Sequence, residues 1–181
     1  MTATLIVPGL NGSGEGHWQD IWLKEQPETH LVNQHDWRHP DLSEWLGALE
    51  HELIAHPGAL LVAHSLGALL AAHLAGRPAA DHVAGALLVA PCDLDAVERL
   101  HPGLVSFGEF PTKPLPFPSI LAASSNDPYL PHAQAHRMAA TWGSGLIDMG
   151  DAGHINIASG HGRWTDGYLL AASLGGERPR I

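Results

Sequence analysis

The sequence predicts an α/β protein, a three-layer α/β/α sandwich built on a mostly parallel six-stranded sheet. Three observations predict it. Short apolar runs alternate with helix-length segments along the chain. Several runs are continuously apolar rather than alternating, as strands covered on both faces must be. Capping and stop residues fall at the junctions between the two kinds of segment. Alternation of this kind implies right-handed βαβ crossovers and helices on both faces of the sheet.

The strand candidates are Thr4–Val7, Leu31–Asn33, Ala59–Ala63, Val83–Ala90, Ser119–Ala123 and Leu146–Met149. The helix candidates are Gly16–Glu25, Leu42–Ala55, Ser65–Ala75, Pro131–Trp142 and Arg163–Leu174. Asp41 can cap the second of these, and Glu44 stands in the capping-box position. The third is rich in alanine and leucine and stops at Gly76, with Pro78 beyond. Residues 91–118 break the alternation. They hold six prolines and all three phenylalanines, Phe107, Phe110 and Phe117. A connection of this length is either a loop pinned to the core by its aromatics or an apolar wall or small lid over a site.

The 181 residues fit one domain, residues 1–181, able to bury roughly 70% of its unfolded surface. Only the last few residues are a low-complexity tail. The single cysteine, Cys92, permits no intramolecular disulfide and reads as a buried small residue. The N-terminus lacks a basic region and a signal-length apolar run, and no stretch approaches the ~20 apolar residues of a membrane span. A cytoplasmic protein with no membrane partner is expected. The formal net charge is −10, with nine scattered Lys and Arg, which disfavours nucleic-acid binding. Oligomeric state is not legible.

The chemistry concentrates in Leu60-Leu61-Val62-Ala63-His64-Ser65-Leu66-Gly67-Ala68. A buried strand enters a small-residue turn and then a helix, the layout of the G-x-S-x-G nucleophile elbow. Ala63 replaces the first glycine and Gly67 keeps the second. Ser65 would meet the positive end of the helix dipole, and the Leu66 N–H would point where an oxyanion forms. Alternatively, Ser65 is only a helix N-cap.

Chain order favours the catalytic reading. α/β-hydrolases carry Ser, then an acid, then His, each after a later strand. Asp127, in Ser124-Ser125-Asn126-Asp127-Pro128-Tyr129, follows the fifth strand, and His154, in a glycine-flanked loop, follows the last. Asp93, Asp151 and Glu98 compete as the acid, although Asp93 reads as a cap for Leu94–Leu100. His161 competes as the base but looks like the lead-in to the last helix. The glycine-rich loop after the first strand, Pro8 to Gly14, should supply the second oxyanion donor, Leu10 N–H, with Asn11 as its neighbour. That loop matches neither G-x-G-x-x-G nor a P-loop, so nucleotide binding is disfavoured. His132 and His136, and His35 and His39, are spaced i, i+4, but no H-E-x-x-H motif accompanies them. No metal and no cofactor are expected. Asn11, His17, Trp18, His64, Phe110 and Tyr129 are the candidate pocket residues.

The sequence resembles the compact serine hydrolases related to retinoblastoma-binding protein 9. The shared features are Pro8-Gly9 with Gly12 and Ser13, Gly16-His17-Trp18, Asp36-Trp37 and Ala63-His64-Ser65-Leu66-Gly67. They continue with Asn126-Asp127-Pro128-Tyr129, Gly153-His154-Ile155-Asn156 and Gly162-Arg163-Trp164. The resemblance implies a minimal α/β-hydrolase fold, a Ser65–Asp127–His154 triad and esterase- or amidase-type activity on a small molecule or short peptide. It implies little about the natural substrate. No Leu-x-Cys-x-Glu sequence is present, so the namesake's pocket-protein interaction is not carried over. Two other functions stay open: a catalytically weak protein that binds a partner, and an acyltransferase or perhydrolase using the same triad.

Overall fold

The structure is a computed structural model, and it describes residues 2–174. The C-terminal tail lies outside the described residues. Six strands form one sheet: β1 (Thr4–Val7), β2 (Thr29–Leu31), β3 (Ala59–His64), β4 (Val83–Val89), β5 (Ser119–Ala123) and β6 (Gly145–Asp148). Their order is β2-β1-β3-β4-β5-β6, and every neighbouring pair is parallel. Six α-helices cover it: α1 (Trp18–Glu25), α2 (Leu42–Ala55), α3 (Leu66–Ala72), α4 (Leu94–Leu100), α5 (His132–Trp142) and α6 (Thr165–Leu174).

The continuous apolar runs are explained by two cores, one on each face. Leu5, Val7, Leu61, Ala63, Leu88 and Leu121 face α2, α3 and α5, where Trp45, Leu49, Leu69 and Trp142 are fully buried. Ile6, Val62, Leu87, Val89 and Ala122 face α1 and α6, with Trp18, Trp22 and Trp164. Successive side chains of a strand point to opposite faces, so a strand buried on both sides has no polar position.

The boundaries differ where apolarity is a poor guide. β2 runs Thr29–Leu31, earlier than expected, because it is a half-exposed edge strand set by pairing of Thr4 with Thr29 and Ile6 with Leu31. α1 starts at Trp18 rather than Gly16: His17 is its N-cap, its Nδ1 accepting the Gln19 N–H at 3.1 Å. α2 runs as expected from Asp41, whose carboxylate accepts the N–H groups of Ser43 and Glu44. α3 stops at Ala72, three residues short of the expected end.

In residues 91–118, α4 follows β4 closely, and the aromatics anchor what comes after. Phe107 packs edge-on against Trp45, and Phe117 is buried in the same core. Phe110 stacks on Trp142 of α5, ring centroids 5.5 Å apart. No helix among the described residues is long and apolar enough to cross a membrane.

Candidate active site

Ser65, Asp127 and His154 meet at the C-terminal edge of the sheet, although they are up to 89 residues apart in sequence. Each stands just beyond a strand: Ser65 after β3, Asp127 after β5, His154 after β6. In a parallel sheet these ends share one edge, so residues remote in sequence converge there. Ser65 Oγ is 2.9 Å from His154 Nε2. His154 Nδ1 is 2.9 Å from both carboxylate oxygens of Asp127. With Nδ1 turned to a carboxylate, the imidazole keeps its proton there and leaves Nε2 free to accept from the serine hydroxyl.

Ser65 is held in a conformation that L-residues rarely adopt, φ 55° and ψ −121°. It occupies the N-cap position of α3, yet its side chain makes no cap hydrogen bond. The hydroxyl is directed to His154 instead. Gly9 allows β1 to end directly beneath the turn, since a Cβ there would stand 2.9 Å from the Ser65 Cβ.

The supporting contacts fix the two partners. The Tyr129 N–H donates to Asp127 Oδ1 at 2.8 Å, two residues along the Asp-Pro turn. His64, 5% exposed, donates from Nε2 to the His154 carbonyl at 2.9 Å. Trp18 Nε1–H donates to the Ile155 carbonyl at 2.8 Å and so secures the same loop. Burial, then the neighbouring His154, pushes the His64 imidazole well below its ordinary value, so this ring stays neutral.

The cleft beside Ser65 has a volume of about 190 Å³. Leu10 and Leu66 line it, and among the described residues neither backbone N–H has an acceptor. The Asn11 N–H donates to the Trp37 carbonyl at 2.8 Å, so of these two adjacent donors Leu10 is the free one. Of the candidate pocket residues, Asn11, His17, His64 and Tyr129 line the cleft. Trp18 and Phe110 do not. Trp18 is 1% exposed and lies behind the wall against His17, His64 and Trp164. Phe110 faces α5, where the apolar Trp142 ring offers it more contact than a half-polar cleft would.

Several lining residues carry no sequence signal. His101, Val97 and Cys92 reach the cleft because α4 folds over it. The His101 Nε2 lies 2.9 Å from the Tyr129 hydroxyl. Burial pushes the Cys92 thiol up to about 12, so it stays protonated beside Ser65. Asn156, the last residue of the Gly153-His154-Ile155-Asn156 motif, lines the cleft from the His154 loop.

The competing residues are engaged elsewhere. Asp93 caps α4, accepting the Asp95 N–H at 2.8 Å. Asp151 accepts from Ser125 Oγ at 2.7 Å, and Glu98 accepts from the Gly103 N–H. His161 Nδ1 lies 3.2 Å from Ser159 Oγ. His132 and His136 pack edge to face, and among the described residues no group of three or more His, Cys, Asp or Glu is placed to hold a metal.

A parallel sheet of this order, with a strained serine between strand and helix, defines an α/β-hydrolase. The chain belongs to the serine hydrolase family, whose model matches residues 4–173. Among solved structures it is similar to a Pectobacterium atrosepticum protein named as a YdeN-like hydrolase, at 33% identity and TM-score 0.80, over 96% of this chain and 92% of that one. The fold also matches the ydeN gene product of B. subtilis, at 19% identity and TM-score 0.77, over 98% of this chain and 100% of that one. Esterase 2 of Thermogutta terrifontis matches at 15% identity and TM-score 0.71, over 99% of this chain and 85% of that one. A comparison with curated proteins returns no match.

Proposed function

We propose that the protein hydrolyses small esters or amides through an acyl-enzyme, with Ser65 as nucleophile, His154 as general base and Asp127 as its orienting acid. One observation carries the reading: Ser65 Oγ, free of any capping role, stands 2.9 Å from His154 Nε2, and Asp127 holds the far nitrogen. Ser65 attacks the substrate carbonyl carbon while its proton passes to His154. Asp127 keeps the imidazole in the correct tautomer and stabilises the imidazolium. The Leu10 and Leu66 N–H groups receive the oxyanion, each contributing about 2.7–4 kcal/mol in comparable sites. His154 then protonates the leaving group, the C–O or C–N bond breaks, and water attacks the acyl-serine with His154 again as base.

The motif resemblance to the hydrolases related to retinoblastoma-binding protein 9 supports the same assignment of Ser65, Asp127 and His154. The name of the Thermogutta protein, an esterase, is consistent with ester substrates. A cytoplasmic setting fits the lone buried cysteine.

The test is labelling with a fluorophosphonate, followed by mass spectrometry of the modified peptide. Label is expected on Ser65 alone. Ser65→Ala should take no label and release no nitrophenol from p-nitrophenyl acetate, while keeping the wild-type circular dichroism spectrum. Folded wild-type protein that neither takes label nor turns over the ester would overturn the assignment.

A further inference from the structure

The Ser65 cleft is small, and no ammonium, guanidinium or carboxylate group lines it. Its volume, about 190 Å³, lies below the ~300 Å³ at which drug-sized ligand pockets begin. Yet it is not an apolar slot, because Asn11, His17, His101, Tyr129 and Asn156 all border it. A cleft built this way selects a small uncharged molecule with more than one polar atom.

His17 is the residue with a fixed polarity. Its Nδ1 accepts the Gln19 N–H at the start of α1, at 3.1 Å. A neutral imidazole that accepts at one nitrogen carries its proton on the other. Nε2–H is therefore a donor. Among the described residues it has no partner, it is not sealed from solvent, and it belongs to a residue that borders the cleft. The N-cap bond to the Gln19 N–H sets this orientation, and the ring packs 5.4 Å from the Trp18 ring and 5.1 Å from the His64 ring. Burial, then the neighbouring His154, holds the His17 imidazole down at about 4, so at neutral pH it is uncharged. His64 offers no competing donor, since its own Nε2–H is taken by the His154 carbonyl.

We infer that His17 is a specificity residue: its Nε2–H binds a second oxygen of the substrate, outside the scissile carbonyl, and so favours small uncharged esters that carry an ether, hydroxyl or carbonyl oxygen near the reacting group. The inference rests on the hydrolase reading above. A donor that the seated substrate shuts off from water discriminates against an analogue lacking the acceptor, because the donor is then left unpaired.

The experiment uses two isosteric pairs in which one CH₂ is replaced by O. p-Nitrophenyl methoxyacetate against p-nitrophenyl butyrate places the oxygen in the acyl part. 2-Methoxyethyl acetate against butyl acetate places it in the alcohol part. Each kcat/KM ratio is divided by the same ratio for alkaline hydrolysis, which removes intrinsic reactivity. Wild type should prefer the oxygen-bearing ester in at least one pair, by on the order of 10-fold. His17→Ser keeps an N-cap oxygen for the Gln19 N–H but deletes the donor. It should bring the corrected ratio for that pair to about 1, the oxygen-bearing ester losing about 10-fold more than its all-carbon partner, and His17→Gln, which restores an N–H at similar reach, should recover part of the preference.

No preference in wild type overturns the inference, whatever the folding of the variants. So does an equal loss on all four esters in His17→Ser, which would make the ring structural or a donor to the oxyanion. In both cases turnover of the esters and fluorophosphonate labelling of Ser65 survive, and the hydrolase reading stands. Absence of both turnover and labelling removes that reading, and the inference with it.

Discussion

Gly67 abuts the Val7 carbonyl so closely that a Cβ built on it would overlap that oxygen, and it would also stand 2.6 Å from the Pro8 carbonyl oxygen. The first turn of α3 therefore crosses the end of β1 backbone to backbone. This contact seats the Ser65 turn against the loop that carries Leu10. The other small position of the motif, Ala63, lies within β3 and is fully buried in the core. The two sites thus differ in what they tolerate. Gly67→Ala should cost about 3 kcal/mol or more, because the atoms in the way are main chain and cannot rotate aside. Ala63→Gly should cost only about 1 kcal/mol. Urea unfolding of both variants checks this, and similar midpoints for the two would refute it.

Ser65 combines a positive φ with a side chain, a strain of about 1–3 kcal/mol that the surrounding packing must hold. Ser65→Gly relieves it. The expected result is a protein without esterase activity but with a Tm raised by about 2–4 °C, corresponding to ~1 kcal/mol in a domain of this size. Ser65→Ala keeps the Cβ and should melt close to wild type. Calorimetry on the three proteins decides the matter, and a Tm for the glycine variant at or below that of the alanine variant counts against stored strain.

Asp127 and Asp93 stand after neighbouring strands but make different contacts. Asp127 faces His154 Nδ1, while Asp93 caps α4. Asp127→Asn should lower kcat by about 10⁴, since an amide presents the wrong hydrogen to the ring. Asp93→Asn should stay within about 2-fold, because asparagine also caps helices. Steady-state kinetics with p-nitrophenyl acetate gives both numbers, and the reverse pattern would move the acid to the end of β4.

The buried histidines set a direction for acid sensitivity. An unfolded histidine takes up a proton near pH 6.5, whereas His17 in the folded protein does so only near 4, and His64 is likewise held well below its ordinary value. Between those values the unfolded chain binds more protons, so stability rises with pH and is lost as pH falls from about 6.5 toward 4. His17 alone should account for about 2 kcal/mol between pH 7 and pH 5. His17→Ser should therefore lose less stability than wild type over that interval. Urea titrations at the two pH values measure it, and identical losses would show that this ring is not the source.

The strand–helix alternation was legible in the sequence for a simple reason. Leu61, Val62 and Ala63 are all apolar because β3 is covered on both faces, and Asp41 precedes Leu42 because the first N–H groups of α2 need an acceptor. The positions of Ser65, Asp127 and His154 were legible as well. Each follows a strand, and parallel strands deliver the residues after them to one edge. Edge strand β2 was misplaced because backbone pairing with β1, rather than burial, decides where it lies. The walls of the cleft were decided by tertiary structure alone. Trp18 and His17 are neighbours in the chain, yet one supports the site from behind and the other borders it, since His17 is the extended N-cap residue of α1 and Trp18 the first residue of the helix. His101 joins the cleft because the end of α4 comes to rest beside Tyr129, and Phe110 leaves it because its ring stacks on Trp142. Local chemistry is written into short stretches of sequence, whereas the lining of a cleft depends on how helices from distant stretches come to rest against one another.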